Sequence, residues 1–394
     1  MSRRPGTPRL LRQLNDRAAL ELLLDLGPLT RAELGEHTGL SKVTSGQLLS
    51  RLQRRGLVTI SGERPGGRGP NAALYSVVPS SAYVAGLDVL PETVTAGIAD
   101  ITGATVAEIT LELGGDPAAV VHDAVHRACE LAGVALSRLR AVVIGTRGVV
   151  DPGTGEVRFS FDLPAWHLGA LARLRTGLGR HVVIENDVNL AAVAERAYGA
   201  ARGVDDFVLL WTGIGQGLGV MLGGRLHRGV TGGAGEVGWL PVPGEPLPTD
   251  VTEPQSGSFQ RLVGGHAVAG LAASYGLGGP VPAEITADWI VEVVRAAVTT
   301  PVEGFLDELA MRLAVGVAAT TVVLDPGLVV LGGDVGRAGG LALATRVQEA
   351  VARVCPSRPR VTVTEVTGNP ILRGALLVAL DHAREEIFAT TVDV

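Results

Sequence analysis

The sequence predicts an α/β protein in two parts: a small helical head that ends in a two-stranded hairpin, and a larger two-lobed body. Three observations carry this expectation. Charge is split along the chain: residues 1–70 hold twelve Arg and Lys against six Asp and Glu, a balance of +6, and the remainder holds 22 against 34, a balance of −12. Apolar residues recur at helical spacing through three successive segments of the head, and then at strand-like spacing in two short runs. From about Ser80 onward the pattern becomes two sets of strands, glycine turns and helices. The boundary falls in "SVVPSS", giving a head over 1–79 and a body over 80–394.

In the head, Leu10, Leu11, Leu14, Ala18, Leu22 and Leu23 mark a first amphipathic helix, broken by "GPLT". "TRAELGEHTG" starts the second, with Thr30 and Glu33 as a capping box and Gly39 at its end. "LSKVTSGQLLSRLQRRG" reads as the third, with Ser41 as N-cap, Val43, Leu48, Leu49 and Leu52 turned inward, and Gly56 just past the end. "LVTIS" and "ALYSVV" follow as strands, joined by the basic, glycine-rich "GERPGGRGPNA". Helix, helix–turn–helix and basic hairpin together make a winged helix-turn-helix. In such a module the third helix enters the major groove with its N-terminal side chains at base edges. Those are Lys42, Thr44, Ser45 and Gln47 here, with Arg51, Arg54 and Arg55 near phosphates and Arg64 and Arg68 on the wing. A helical protein-interaction module with a solvated arginine face is the rival reading. The charge asymmetry, the helix lengths and the wing agree on duplex DNA.

The body opens with the strands "YVAGLDV" and "VTAGIADITGATVAEITLEL", the latter turning at "DITGA". "DPAAVVHDAVHRACELAGV" is a helix, "LRAVVIGTRGVVD" a buried strand running into a loop, and "LGALARLRTGLG" a helix. "HVVIEND" is the next strand and "NLAAVAERAYG" the helix after it; a second set then begins at "DDFVLLWTGIGQGLGVMLGGRL". Two such halves predict a duplicated α/β fold closing on a cleft.

A chain of 394 residues that is 46% hydrophobic supports a sizeable core. Two cysteines, Cys129 and Cys355, exclude a disulfide framework or a four-cysteine zinc site. His122, His126 and Cys129 share a helix face, a pattern that exposed helix polarity explains better than a metal site. No apolar run reaches the roughly 18 residues of a membrane span, and the basic N-terminus lacks the apolar core of a signal peptide. The expectation is a soluble, cytoplasmic protein with no membrane partner.

"VIENDVN" (183–189) places an amide and a carboxylate where a strand gives way to a helix. That is where α/β folds meet ligands. Three readings of Asp187 fit: a general base, a grip on a hydroxyl-rich ligand, or a helix cap.

Six ordered segments decide the matter further: "GVVDPGTGEV", "DLPAW", "IENDVNLAAVAE", "TGIGQGLG", "GVTGGAGEVGW" and "VVLGGDVG". Over about residues 80–380 the body resembles the ROK family of repressors, open reading frames and sugar kinases. With the winged head in front, the whole chain resembles ROK transcriptional regulators. The resemblance implies an actin-like, ribonuclease H-like two-lobed fold holding a sugar between its lobes. It implies sugar contacts at Gly148, Asn186, Asp187 and Glu236, and at Glu253 through a looser correspondence, with Asp187 the base in kinases.

The departures are informative. The family's first phosphate loop, Asp-x-Gly-Gly-Thr, is Asp88-Val89-Leu90-Pro91-Glu92-Thr93 here. Both glycines are gone, Pro91 removes an amide donor, and Glu92 adds a negative charge. Gly213, Gly215, Gly217, Gly332 and Gly333 persist in the second phosphate hairpin and nucleoside region, where tight turns are sufficient reason for them. The histidine of the sugar and zinc neighbourhood is Trp239, which stacks on a sugar or fills the space. The cysteine-rich zinc loop is "LPVPGEPLPTDVTEPQSG", without a cysteine, so neither metal nor cofactor is expected.

The sequence therefore predicts a sugar-responsive repressor with a catalytically degenerate sensor, not an enzyme. Its expected partners are a duplex DNA operator, a sugar or sugar-derivative effector, and further copies of itself as homodimer or homotetramer. An active sugar kinase carrying a DNA-binding head, and a ligand-independent regulator whose body only dimerises, are the rival readings.

Overall fold

A computed structural model of the chain describes residues 8–65, 71–160, 169–179, 181–253, 256–300 and 302–389. The head comprises α1 (Pro8–Asp25), β1 (Leu29–Thr30), α2 (Arg31–Thr38), α3 (Lys42–Arg54), β2 (Val58–Arg64) and β3 (Ala72–Val77). Its strands pair in the order β1-β3-β2, so the wing hairpin is anchored to the turn before α2. The capping box forms as the sequence predicts: Thr30 accepts from the backbone of Glu33, and the Glu33 carboxylate accepts from Thr30. Gly39 takes the left-handed conformation after α2, and Ser41 caps α3.

Two faces differ from expectation. Leu10, Leu11 and Leu14 are about half exposed, and α1 turns Asp16, Ala19, Leu20 and Leu23 inward instead. Asp16 is buried because Arg51 of α3 pairs with it side-on, Nε and Nη2 donating to the two carboxylate oxygens. Hydropathy alone cannot rank a buried ion pair as core. In α3 the inward stripe is Ser45, Leu48, Leu49 and Leu52, which leaves Val43 70% exposed.

The first lobe contains β4 (Tyr83–Val89), β5 (Thr93–Asp100), β6 (Thr105–Glu112), α4 (Pro117–Ala132), β7 (Leu139–Thr146), a small hairpin of β8 (Val149–Val150) and β9 (Val157–Phe159), α5 (Ala170–Leu178), β10 (Val182–Asn186) and α6 (Asp187–Tyr198). The second contains β11 (Phe207–Thr212), β12 (Gln216–Leu222), β13 (Arg225–Leu226), α7 (Ser258–Val263), α8 (Gly265–Ser274), α9 (Ala287–Thr299), α10 (Phe305–Leu324), β14 (Leu328–Gly332), α11 (Gly333–Val354) and β15 (Arg360–Val363). The chain ends in α12 (Pro370–Ala389).

The two sheets, β10-β7-β4-β5-β6 and β15-β14-β11-β12-β13, have one topology. In each, the first strand pairs antiparallel with the second and parallel with the fourth, which pairs parallel with the fifth. The duplicated fold expected from the sequence is present. The central parallel strands are apolar throughout because both faces are covered: Val142, Val143, Ile144, Val329, Val330 and Leu331 are all buried.

The last helix does not stay with the second lobe. α12 crosses back over the first sheet, where Leu376 lies against Gly86 so closely that a β-carbon at Gly86 would collide with it. At its far end, Phe388 lies 5.3 Å from the Arg17 guanidinium of α1. Leu20 and Leu23 of the head, Ile101 of the first lobe and Ile387 of α12 share one buried cluster.

Candidate functional site

A cleft of about 650 Å³ lies between the lobes, at the carboxyl ends of β7, β10 and β11. Gly148, Asn186, Asp187, Glu236 and Trp239 all line it, so five of the six sugar-contact residues expected from the sequence converge. Glu253 is a correction. It is exposed on the loop before α7, where its carboxylate accepts from Thr249 Oγ1 at 2.9 Å, and it does not line the cleft. The loop carries no cysteine, and it is shaped at the surface by Thr252, whose N–H and hydroxyl donate to Asp250 Oδ1, and by Thr249 Oγ1, which donates to Glu253.

The floor is built by the end of β10. Asn186 Oδ1 caps α6 by accepting from the backbone of Asn189 at 3.0 Å, and its Nδ2 donates to the Gly148 carbonyl at 3.1 Å. The helix-cap reading of the motif therefore falls on Asn186, which also fixes the loop after β7. Gly148 has φ 103°, and a β-carbon there would overlap the Phe159 carbonyl, so only glycine fits. Glu185, which sequence reading passed over, is buried beneath this floor. It accepts from Asn189 Nδ2 at 3.0 Å and from Arg228 Nε at 2.6 Å, which ties the loop after β13 in the second lobe to the first.

Asp187, first residue of α6, is 8% exposed. Burial, and then the Asp187 charge, push the Glu236 carboxyl up to about 7. Two carboxyl groups from opposite lobes thus face one space. Each can hold neighbouring hydroxyls with paired, charge-assisted hydrogen bonds.

The other half of the cleft is acidic. Pro91 and Glu92 line it as the altered loop predicts, joined by Glu284, Asp288 and Asp334. Burial raises the Asp334 carboxyl, Asp288 adds to the rise, and Arg147 opposes it. A triphosphate entering here meets four carboxyl groups and the guanidinium of Arg147. Gly217 and Gly219 of the hairpin have packing reasons to persist, since β-carbons there would run into Val188 and Ala192 of α6; at Gly215, which lines the cleft, a β-carbon would meet nothing. Gly333, at φ 72°, lies against the Thr212 backbone. His122 and His126 stack at 5.4 Å on the surface of α4, whereas Cys129 is buried in the first lobe's core.

In the head, Lys42 and Gln47 are exposed on α3, and Thr44 is half-buried with its hydroxyl 2.9 Å from Ser41 Oγ. Ser45 is fully buried and cannot reach a base: it sits where α2 and α3 cross, beside Gly35. Arg51 is committed to Asp16 instead of a phosphate, and Arg55 is half-buried. Arg64 is exposed on the wing and paired with Glu33. Arg68 lies outside the described residues. Arg31, exposed at the start of α2 beside Gly46 of α3, adds a cation that the linear sequence does not associate with the reading helix.

Comparison with known proteins agrees with this geometry. The ROK family model matches residues 84–382 and the MarR family model residues 13–69. A xylose repressor of Caldicellulosiruptor bescii is 25% identical over 240 residues, 59% of this chain and 60% of that protein. A glucokinase of Thermotoga maritima is 29% identical over 259 residues, 62% of this chain and 80% of that protein. The crystal structure of a ROK family transcriptional regulator, described as a homolog of the E. coli MLC protein, superposes with a TM-score of 0.75. It covers 97% of this chain and 99% of that one at 16% identity, a likeness of fold.

Proposed function

The chain belongs to the ROK family, and from that premise we propose that it is a sugar-responsive repressor, binding a DNA operator through the head and a small sugar in the cleft. One observation carries the reading: the cleft keeps Asn186, Asp187, Glu236 and Gly148 together, while Glu92, Glu284, Asp288 and Asp334 line it as well and outnumber the one arginine among the described residues there, Arg147. Carboxylates suit hydroxyls and repel phosphates, so the cleft binds sugar and transfers no phosphoryl group. Asp187 is a grip and not a base. The head has the fold, the exposed Lys42 and Gln47, and the basic balance for DNA, and it reads two half-sites as part of a homodimer. The name of the xylose repressor makes D-xylose the first effector to try, and that of the glucokinase adds D-glucose.

Operator binding measured by fluorescence anisotropy, on DNA flanking the gene, tests this with and without each sugar. The expected result is at least a tenfold change in affinity with one of them, a coupling of about 1.4 kcal/mol. No DNA binding, or DNA binding that no sugar alters, overturns it. Sugar-dependent ADP release from Mg-ATP, lost in Asp187→Asn, would establish the kinase instead.

A further inference from the structure

Trp239 and Phe159 meet edge to face in the cleft, their ring centroids 5.9 Å apart and their planes at 75°. Phe159 ends β9 of the first lobe, and Trp239 ends the short helical turn that Glu236 opens in the second. Both line the cleft. The indole Nε1 of Trp239 is buried and has no hydrogen-bond partner among the described residues. The side chain is only partly buried, so what it shows the cleft is ring carbon. An aromatic face beside a carboxyl group is a two-sided contact: carbon for an apolar surface, oxygen for hydroxyls.

Resting on the sugar-sensor reading, we propose that Trp239, braced by Phe159, is the residue that selects a cyclic sugar, stacking on the C–H face of the ring while Glu236 and Asp187 hold its hydroxyls. A pyranose presents a rigid patch of C–H bonds. An open-chain polyol with the same hydroxyls presents none, and loses rotational freedom on binding. Aromatic contact discriminates between them where the carboxyl groups cannot. The brace matters because Phe159 comes from the other lobe: a ring seated on Trp239 touches a pair that spans the cleft.

The probes are D-xylose with xylitol and D-glucose with D-glucitol, titrated calorimetrically into the wild-type protein, Trp239→Leu, Trp239→Phe and Asp187→Ala. For the sugar that binds, the expected result is that Trp239→Leu weakens it about three- to tenfold, the worth of one aromatic contact, and lowers its preference over the polyol at least threefold. Trp239→Phe retains that preference. In proton NMR the ring C–H signals of the bound sugar move upfield with wild type, from the aromatic ring current, and not with Trp239→Leu. Sugar binding that Asp187→Ala abolishes, but that Trp239→Leu leaves unchanged in affinity and preference, overturns the stacking role alone. Equal losses in Trp239→Phe and Trp239→Leu would show that an aromatic ring is not what the sugar needs, and overturn it likewise. If neither sugar binds wild type, the sensor reading and the stacking role fall together.

Discussion

Asn369 donates from Nδ2 to Asp88 Oδ2 at 2.7 Å, while its Oδ1 accepts from the backbones of Ile371 and Leu372 at 2.9 and 3.0 Å. One side chain thus caps the start of α12 and holds the carboxyl at the end of β4, beside the altered phosphate loop. Asp88 is 3% exposed, and its Oδ1 has no partner among the described residues.

That carboxyl gives the first prediction. Burial pushes Asp88 up to about 6, against the opposing hydrogen bond from Asn369 and the Arg147 charge. A carboxyl raised in the folded state binds more protons there than in the unfolded chain, so its contribution is fully present below about pH 4 and is lost as pH rises through 6. A carboxyl raised from the ordinary carboxylate range to about 6 sets a ceiling of roughly 3 kcal/mol. Asp88→Asn should therefore raise stability at pH 7.5 and flatten the decline between pH 4 and 7. Urea unfolding at pH 4.5, 6 and 7.5 measures it, and an unchanged pH dependence in the variant would contradict it.

Glu236 titrates in the physiological range. Its carboxyl stands at about 7, raised first by burial and then by Asp187, so near neutrality it is partly protonated. By the same sign rule, its contribution to stability falls as pH rises through 7. Ligand binding runs the other way: a sugar hydroxyl donating to the carboxylate favours the ionised form. Affinity should therefore strengthen from pH 6 to pH 8 in wild type and stay flat in Glu236→Gln. Calorimetric titration with D-xylose or D-glucose, whichever binds, at pH 6, 7 and 8 checks this; a flat wild-type profile counts against it.

The head separates stability from recognition. Removing the Arg51 guanidinium leaves Asp16 buried and unpaired, which costs on the order of 3–5 kcal/mol, so Arg51→Met should lower the thermal midpoint before any effect on DNA can be read. Lys42 is the only lysine of the 394 residues and is exposed at the first position of α3. Lys42→Ala and Gln47→Ala should relax sequence preference, whereas Arg64→Ala, on the wing, should weaken all sequences alike and reduce the salt slope by about one. Treating the protein with an amine acetylating reagent should abolish operator binding in wild type but not in Lys42→Arg. Equal loss in both proteins would show that the effect lies elsewhere.

How much of this was legible in the sequence follows from the kind of signal each feature carries. Periodicity found the helices of the head and first lobe, and glycine turns together with β-branched runs found the first sheet and the opening hairpin of the second, because local spacing dictates them; α7–α12, β14 and β15 were not read from spacing. The cleft residues Asn186, Asp187 and Glu236 were legible from motifs at strand ends. The faces of α1 and the role of Ser45 were not, because Asp16 and Ser45 are polar residues made core by partners far along the chain: Arg51 for one, the crossing at Gly35 for the other. Glu253 was misplaced because its expected position depends on a metal-bound loop whose cysteines this sequence lacks. Glu185 and Arg228 were invisible for a similar reason, being 43 residues apart and joined only when the lobes meet.

The last prediction concerns the path from cleft to operator. α12 begins at the Asn369 cap beside the cleft, is fed by β15 of the second lobe, and runs 20 residues, about 30 Å, to the head. There Phe388 packs under Arg17 of α1. The seam around it is imperfect: Ser81 Oγ and Arg384 Nε are buried without partners among the described residues, and a void of about 10 Å³ remains between Leu20, Leu57 and Ile387. Unsatisfied buried groups cost about 1–3 kcal/mol each, so the seam gives up little stability when it shifts. If sugar closes the cleft, residues 364–369 move with the second lobe, and α12 carries that movement to the head. Phe388→Ala weakens the packing of α12 on the head, leaving Ile387 in place, without touching either site. It should leave sugar affinity within about twofold of wild type, well under the 1.4 kcal/mol of a tenfold change, and it should reduce the sugar-dependent change in operator affinity by most of its size. Anisotropy titrations of wild type and variant, each with and without the active sugar, measure both quantities in one experiment. A full sugar response in Phe388→Ala, retained when Ile387→Ala is added, would show that the signal reaches the head by another route, through the linker at Pro79 and not through α12.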